Sequence, residues 1–454
     1  QRVGAPEVGA HADAIDAVFA EFDNTRSPGC VVGVHSAGEL VFARGYGMAD
    51  LERGVALKPG SVFRIGSTSK QITAASIALL EQDGLLSLDD PIHRYLPELQ
   101  DFGTRVTVRH MLNMTSGLRD YLVLTDVAGF RNDEYYTDAD LVALLSRQRE
   151  LNFEPNTDYL YSNSGYFLAS QIVLRVAGKS LRDFAKERIF DPLGMTRTHY
   201  HNDHSELVPD RALGYSRAED GYALSMTTLP MTGDGGVFTT VEEWAAWNRN
   251  FDDPIVGGPA LLETMLTRAV FNNGDTLDYA LGLRHGEHRG LSTVAHGGAF
   301  VGFRADHVRY PTEDLAVTCF CNLAQTDPSG LARSVAEVIL EDRMTPAPPP
   351  ERPLRLRATN EPVASRPIAA REAEDLVGSF YSEELDVIYT FERDDDGDLR
   401  VRFGARSASV RAGPDGNYRT AGFVIRPQRS RGTVSSFFLD AGRVRNLRFE
   451  RTDS

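Results

Sequence analysis

The chain has 454 residues, 64 of them acidic and 48 basic, for a formal net charge of −16. Its 42% apolar and 25% charged residues are ordinary for a soluble globular protein, and length alone suggests roughly three domains of ~150 residues. The negative balance argues against nucleic acid or an anionic membrane as partner, and no run reaches the ~20 apolar residues of a membrane-spanning helix.

Residues 11–22 carry Ala14, Ile15, Val18, Phe19 and Phe22 at helical spacing. Segments 31–35 and 40–43 read as a hairpin turned at Ser36-Ala37-Gly38. Ser67-Thr68-Ser69-Lys70 then opens a helix with Ile72, Ala75, Leu79 and Leu80 on one side and Gly84 as its stop. Residues three apart share a helix face, so the Lys70 amine can sit beside the Ser67 hydroxyl. A Ser hydroxyl is a weak nucleophile until a neighbouring base takes its proton. Lys is such a base only if burial or nearby positive charge lowers its pKa. Only Lys58, Lys70, Lys179 and Lys186 are Lys, the other basic residues being Arg, so Lys70 is a poor candidate for a chance surface charge.

Residues 85–230 are rich in helical patterns and Pro/Gly/Asp loops. Tyr161-Ser162-Asn163 falls in such a loop, before a helix over 165–177. It offers a phenol as proton carrier and an amide two residues on. Strand patterns return at 281–284, 293–296, 302–308 and 316–321, and a helix over 331–339 follows. His296-Gly297-Gly298 puts an imidazole before two glycines, where a backbone can lie close against a substrate. The early hairpin and the late strands would complete one antiparallel sheet, with the three motifs in a cleft beside it.

The prolines in Thr345-Pro346-Ala347-Pro348-Pro349-Pro350-Glu351-Arg352-Pro353 mark a semi-rigid linker, placed at 345–370. Beyond it, 387–391, 399–403, 422–425, 434–439 and 444–449 read as short strands of a small antiparallel barrel over 371–454. Cys30, Cys319 and Cys321 form no disulfide framework; Cys319 and Cys321 share one strand face, and buried free thiols are expected. The chain starts at Gln1 without Met, which fits either a removed leader, not itself visible, or an arbitrary start point; a periplasmic or secreted location is expected.

In this order and spacing, the three motifs resemble the serine β-lactamase and penicillin-binding-protein superfamily. The nearer match is the class C-like branch of D-alanyl-D-alanine carboxypeptidases, D-aminopeptidases and family VIII carboxylesterases. Leu86-Ser87-Leu88-Asp89-Asp90-Pro91, His110-Met111-Leu112-Asn113-Met114-Thr115-Ser116-Gly117-Leu118, Asp191-Pro192-Leu193-Gly194-Met195 and Gly235-Gly236-Val237-Phe238-Thr239-Thr240 fit the same branch. The likeness covers about residues 10–342. It implies an α/β fold: an antiparallel sheet flanked by helices, in a hydrolase domain over 1–344 with a helical subdomain at about 85–230. The C-terminal part resembles the lipocalin-like domain appended to some D-aminopeptidases and penicillin-binding-protein-like thioesterases.

The resemblance implies Ser67 as nucleophile, with Lys70 and Tyr161 sharing the base role. Asn163 would bond Lys70 or the substrate's acyl amide. The backbone N–H groups of Ser67 and Ala299 would form the oxyanion hole, and Gly297 and Gly298 would flank the substrate. His296 stands where true β-lactamases carry Lys, and as an imidazole it is only partly charged near neutral pH. This favours small esters or peptide amides, some with D-residues, over β-lactams and substrates with a carboxylate at that point. No cofactor is implied. The alternatives are a weak β-lactamase or D-alanyl-D-alanine carboxypeptidase, a thioesterase that cyclises peptides, and a non-catalytic sensor.

Two patterns imitate other chemistry. His199-Tyr200-His201-Asn202-Asp203-His204 matches a metallo-β-lactamase signature but follows Leu193-Gly194-Met195, where the serine family has a polar loop, so it reads as a solvated loop open to adventitious Zn²⁺. Asp394-Asp395-Asp396-Gly397-Asp398 starts like a Ca²⁺ loop without its twelfth-position Glu, and reads as a hairpin turn.

Overall fold

The structure, a computed structural model, describes residues 8–131, 134–346, 366–368, 370–430 and 433–452. Helix α1 (Ala12–Val18) precedes the hairpin β1 (Cys30–Ser36) and β2 (Glu39–Tyr46). Strand β3 (Phe63–Arg64) leads through a 3₁₀ turn, Gly66–Ser69, into helix α2 (Lys70–Gln82). Helix α3 (Asn163–Ala177) ends at Gly178, whose φ of 67° is the left-handed C-terminal stop that glycine permits. Two-residue strand β4 (His199–Tyr200) and β5 (Val237–Thr239) form a small sheet with β3, in the order β3-β5-β4. Helix α4 (Val241–Arg249) follows.

The late strands are β6 (Arg284–His288), β7 (Leu291–Phe300), β8 (Phe303–Tyr310) and β9 (Leu315–Cys321), then helix α5 (Pro328–Leu340). They join the N-terminal hairpin in one antiparallel sheet, β6-β7-β8-β9-β1-β2, as the sequence implied. Helices α1 and α5 pack on one face and α4 on the other. Such two-sided cover explains why β1 and β9 are buried along their whole length. Helix α2 is buried from Lys70 to Leu80 and packs against α3, so it is a core helix on every side. No described helix is long and apolar enough to cross a membrane.

Strands β10 (Gly378–Ser382), β11 (Val387–Arg393), β12 (Leu399–Phe403), β13 (Arg406–Ser409), β14 (Arg411–Ala412), β15 (Tyr418–Thr420), β16 (Phe423–Ser430), β17 (Thr433–Ala441) and β18 (Val444–Arg451) make a second sheet. Its order is β13-β12-β11-β10-β18-β17-β16-β15-β14. The two end strands are neighbours in sequence, separated by Val410, so the sheet curls into a nearly closed barrel. Aromatic rings fill it: Phe437 stacks on Phe449 at 4.7 Å and Tyr389 lies 4.5 Å from Phe449. The barrel is tied to the first part of the chain by the buried Arg119. Its guanidinium meets Glu384 and donates to the backbone oxygens of Arg445 and Asn446 at 3.0 Å each.

Several expectations are corrected. Cys30 and Cys321 are disulfide-bonded, and only Cys319 is a free, buried thiol. Sequence spacing drew attention to Cys319 and Cys321, but Cys30 stands directly opposite Cys321 across the β1–β9 ladder. Residues 281–283 are not strand; β6 begins at Arg284. His199 and His201 are not in a solvated loop, since β4 draws His199 in and His201 is buried. Four short strands, β10, β13, β14 and β15, carry no long apolar run and were not expected. Residues 347–365 and 369 of the Pro-rich linker lie outside the described residues.

A buried polar group inside this sheet sets an acid limit on stability. His35 Nε2 and His307 Nδ1 each lie 2.9 Å from the Thr318 hydroxyl. Burial above all, with Arg309 adding to it, pushes His35 down to about 3, and burial puts His307 well below its usual value. An imidazole released on unfolding takes a proton near 6.5. The stabilisation is therefore complete above about pH 6.5 and is lost as pH falls from there toward 3. His35 alone should remove about 2 kcal/mol between pH 7 and pH 5, at ~1.4 kcal/mol per pKa unit. A melting series over this range should show a falling Tm, with a shallower slope in His35→Gln.

Candidate active site

A cleft of about 600 Å³ opens between the main sheet, the Gly66–Ser69 turn and the 121–122 and 161–163 segments. The residues picked from the three motifs meet there. Lys70 Nζ lies 3.1 Å from Ser67 Oγ and 2.9 Å from Asn163 Oδ1, and it also donates to the backbone oxygen of Asp234. An ammonium has three N–H groups, so these partners use all of them. Its charge also sits 5.0 Å from the centre of the Tyr161 ring and 5.4 Å from that of Tyr166. Burial pushes Lys70 down to about 8; Asp234 and Asp120 oppose the shift and Arg443 adds to it. Burial pushes the Tyr161 phenol up, with Ser67 pulling the other way, so it is protonated at neutral pH.

The Asn163 amide is oriented by Asp120. Both the backbone N–H and Nδ2 of Asn163 donate to Asp120 Oδ2, at 2.7 and 2.8 Å, which turns Oδ1 toward Lys70. Asp120 also caps the 121–127 helix through Val123 N.

Strand β7 forms the opposite wall. Its ladder with β6 ends at the pair Arg284↔Ala295, so the edge from His296 to Phe300 is free of β6 and lies against the Ser67 turn. The approach is close: a Cβ on Gly298 would fall 1.9 Å from the Ile65 carbonyl oxygen, and one on Gly66, whose φ is 51°, 2.9 Å from Ala299 N. Only glycine at both places lets the Ser67 and Ala299 backbones lie side by side at the cleft floor.

His296 differs from the expectation of partial charge. Its Nδ1 lies 2.7 Å from the Gly297 carbonyl oxygen, which can only accept, so Nδ1 carries the proton. Nε2 is then the acceptor for the Tyr279 hydroxyl at 2.9 Å. Burial first, then Lys70, pushes the imidazole down to about 3. It is neutral across the physiological range, and both ring nitrogens are bonded within the protein.

Further groups at this site, Asp120 among them, were not read from the sequence. Arg443 sits in the tight β17–β18 turn after Gly442, and its guanidinium reaches the cleft. It lies 4.9 Å from the centre of the Tyr161 ring and 3.4 Å from Asp120 Oδ2. Asn152 clamps the turn by donating to Arg443 O at 2.9 Å and accepting from Arg445 N at 2.8 Å. Arg64 lines the cleft against Phe300. Tyr279 holds His296. No local motif announces them, because each acts across a long sequence separation.

Comparison with known proteins agrees with this fold. The Beta-lactamase family model matches residues 15–340. A D-aminopeptidase of Gluconobacter oxydans is 29% identical over 310 residues, 68% of this chain and 58% of the relative, so the chain spans little more than half of that protein. Penicillin-binding protein 4* of Bacillus subtilis is 29% identical over 375 residues, 78% of this chain and 81% of the relative. The solved octameric penicillin-binding protein homologue from Pyrococcus abyssi superposes over 98% of this chain and 99% of its own, with a TM-score of 0.64 at 23% identity.

Proposed function

The chain belongs to the β-lactamase family, and on that footing we propose that it is a serine hydrolase cleaving small peptide amides or esters through an acyl-enzyme. The D-aminopeptidases among its relatives point to short peptides with D-residues as the substrate class. The observation that carries this reading is the buried Lys70 amine 3.1 Å from the Ser67 hydroxyl, with its pKa lowered toward neutrality.

In this mechanism Ser67 Oγ attacks the substrate carbonyl and its proton passes to neutral Lys70. The Ser67 and Ala299 N–H groups take up the charge on the tetrahedral oxygen; one such donor is typically worth ~10²–10³ in rate. Tyr161, protonated at rest, hands a proton to the leaving amine or alkoxide and is restored through Lys70. Water then enters by the reverse path and frees the acid. The neutral His296 offers no fixed charge to a carboxylate, which supports esters and amides lacking one at that point. By the same reading the hydrolase domain is 1–344, the linker 345–370 and the barrel domain 371–454. The Cys30–Cys321 bond supports an oxidising location, periplasmic or secreted.

Initial rates on D-alanine p-nitroanilide, its L-enantiomer, a p-nitrophenyl short-chain ester and nitrocefin test the substrate class. The expected order is D-anilide and ester turned over, L-anilide poorly and nitrocefin slowest. Turnover of nitrocefin alone, or of none, would sink the proposal.

Arg443 links the barrel to the chemistry. Its charge lowers the Lys70 pKa and neutralises Asp120, which raises it. Both effects vanish together in Arg443→Ala, so the acid limb of the kcat/KM profile should move to higher pH. A limb left in place would show that the guanidinium does not reach Lys70.

A further inference from the structure

A second group of donor atoms lies around Phe238 of β5. We infer that His199, His201 and Glu206 form a binding site for a divalent transition-metal ion of the zinc type. His199 Nε2 and His201 Nδ1 are 3.3 Å apart, and Glu206 Oε2 is 3.7 Å from His201 Nδ1. One donor atom from each residue falls within a 4.8 Å set. Tetrahedral zinc with bonds of about 2.0–2.1 Å spaces neighbouring ligand atoms ~3.3 Å apart, so small side-chain adjustments close this set on an ion.

The protonation pattern favours a ligand role. His199 Nδ1 lies 3.2 Å from the Arg197 carbonyl oxygen, which accepts and so fixes the proton on Nδ1. Nε2 then presents its lone pair to His201. A ring N–H on a backbone carbonyl is the outer contact that orients metal-binding histidines. His201 Nδ1 has His199 Nε2 as its one hydrogen-bond partner among the described residues. The hydrogen in that contact is therefore on His201 Nδ1, and an ion between the two nitrogens moves it to His201 Nε2, a buried atom with no hydrogen-bond partner among the described residues.

The ligands are also held in place. Phe238 of β5 stacks on the His201 ring at 4.2 Å and lies 5.7 Å from His199. Arg182 grips Glu206 with two bonds of 2.7 Å, and a carboxylate keeps further lone pairs for an ion. Arg182, with Arg211 and Arg64 packed on Phe238, opposes a dication. The expected affinity is therefore micromolar, below that of a thiolate site. Two His and one Glu leave a fourth position for water. The ion would pin residues 201–206 to the β3-β5-β4 sheet, whose Arg64 stands three residues before Ser67. It would act on stability, with no part in the acyl transfer.

The test uses the full chain, stripped with EDTA and kept non-reducing so that Cys30–Cys321 stays bonded. Calorimetric titration with ZnCl₂ should give one ion per chain, and CoCl₂ should develop the visible bands of four-coordinate cobalt. Saturating zinc should raise Tm by mass action. His199→Asn and Glu206→Gln should each lose the cobalt bands and the Tm shift, while Cys319→Ala keeps both. The inference is overturned if the parent shows no saturable binding, if both variants at His199 and Glu206 bind like the parent, or if Cys319→Ala abolishes binding.

Discussion

Ser67→Ala is expected to lower kcat/KM on the best chromogenic substrate by about 10⁴-fold or more, as for removal of a nucleophile that acts in one unit with its base. No neighbour can replace the lost hydroxyl. Ser69 Oγ donates to Gly66 O at 2.6 Å and accepts from Val237 N at 3.1 Å, and Ser162 is buried. Folding should survive, because Lys70 keeps Asn163 Oδ1 and the Asp234 oxygen as partners. Intact-mass measurement after a fluorophosphonate should show one adduct on the parent and none on Ser67→Ala. A variant that still labels or still turns over would place the nucleophile elsewhere.

The sequence revealed most where chemistry is local. Ser67, in the 3₁₀ turn, and Lys70, at the start of α2, are three residues apart in one continuous run of helical turns, so spacing alone predicts their proximity. Tyr161 and Asn163 were legible as a pair because a helix pattern begins just beyond them. The main sheet followed from strand patterns in two separated stretches, residues 31–43 and 281–321. What the sequence could not convey is what long-range pairing decides. Cys30 meets Cys321 only through the β1–β9 register. Asp120 reads as one acid among many until Asn163 is seen to spend two donors on it. Arg443 is one of many arginines, and nothing near it signals that a barrel hairpin reaches Tyr161. His296 was misjudged in charge because burial, and then the Lys70 charge, keep it neutral, neither of which its own position in a motif reveals.

Lys70→Met should lower kcat/KM by about 10³-fold, within the usual range for loss of a general base, and should erase the acid limb of the pH profile. The sign follows from the charge. The amine accepts the Ser67 proton only when neutral, and burial places its pKa at about 8. Below that pH the neutral fraction, and with it kcat/KM, falls tenfold per unit; near pH 7 about a tenth of the enzyme is competent. The parent should therefore gain activity as pH rises through about 8 on the p-nitrophenyl ester, whose own charge does not change over this range. Met keeps most of the length and volume of the side chain, so lost rate can be separated from a collapsed cavity. Tyr161→Phe offers the contrast. It removes the proton donor while leaving Lys70 and its limb in place, so its rate should fall with the limb still near its original position. A limb that persists in Lys70→Met belongs to another group, and one found near pH 10 in the parent would mean that water reaches the amine and that Ser67 is not activated by a dry lysine.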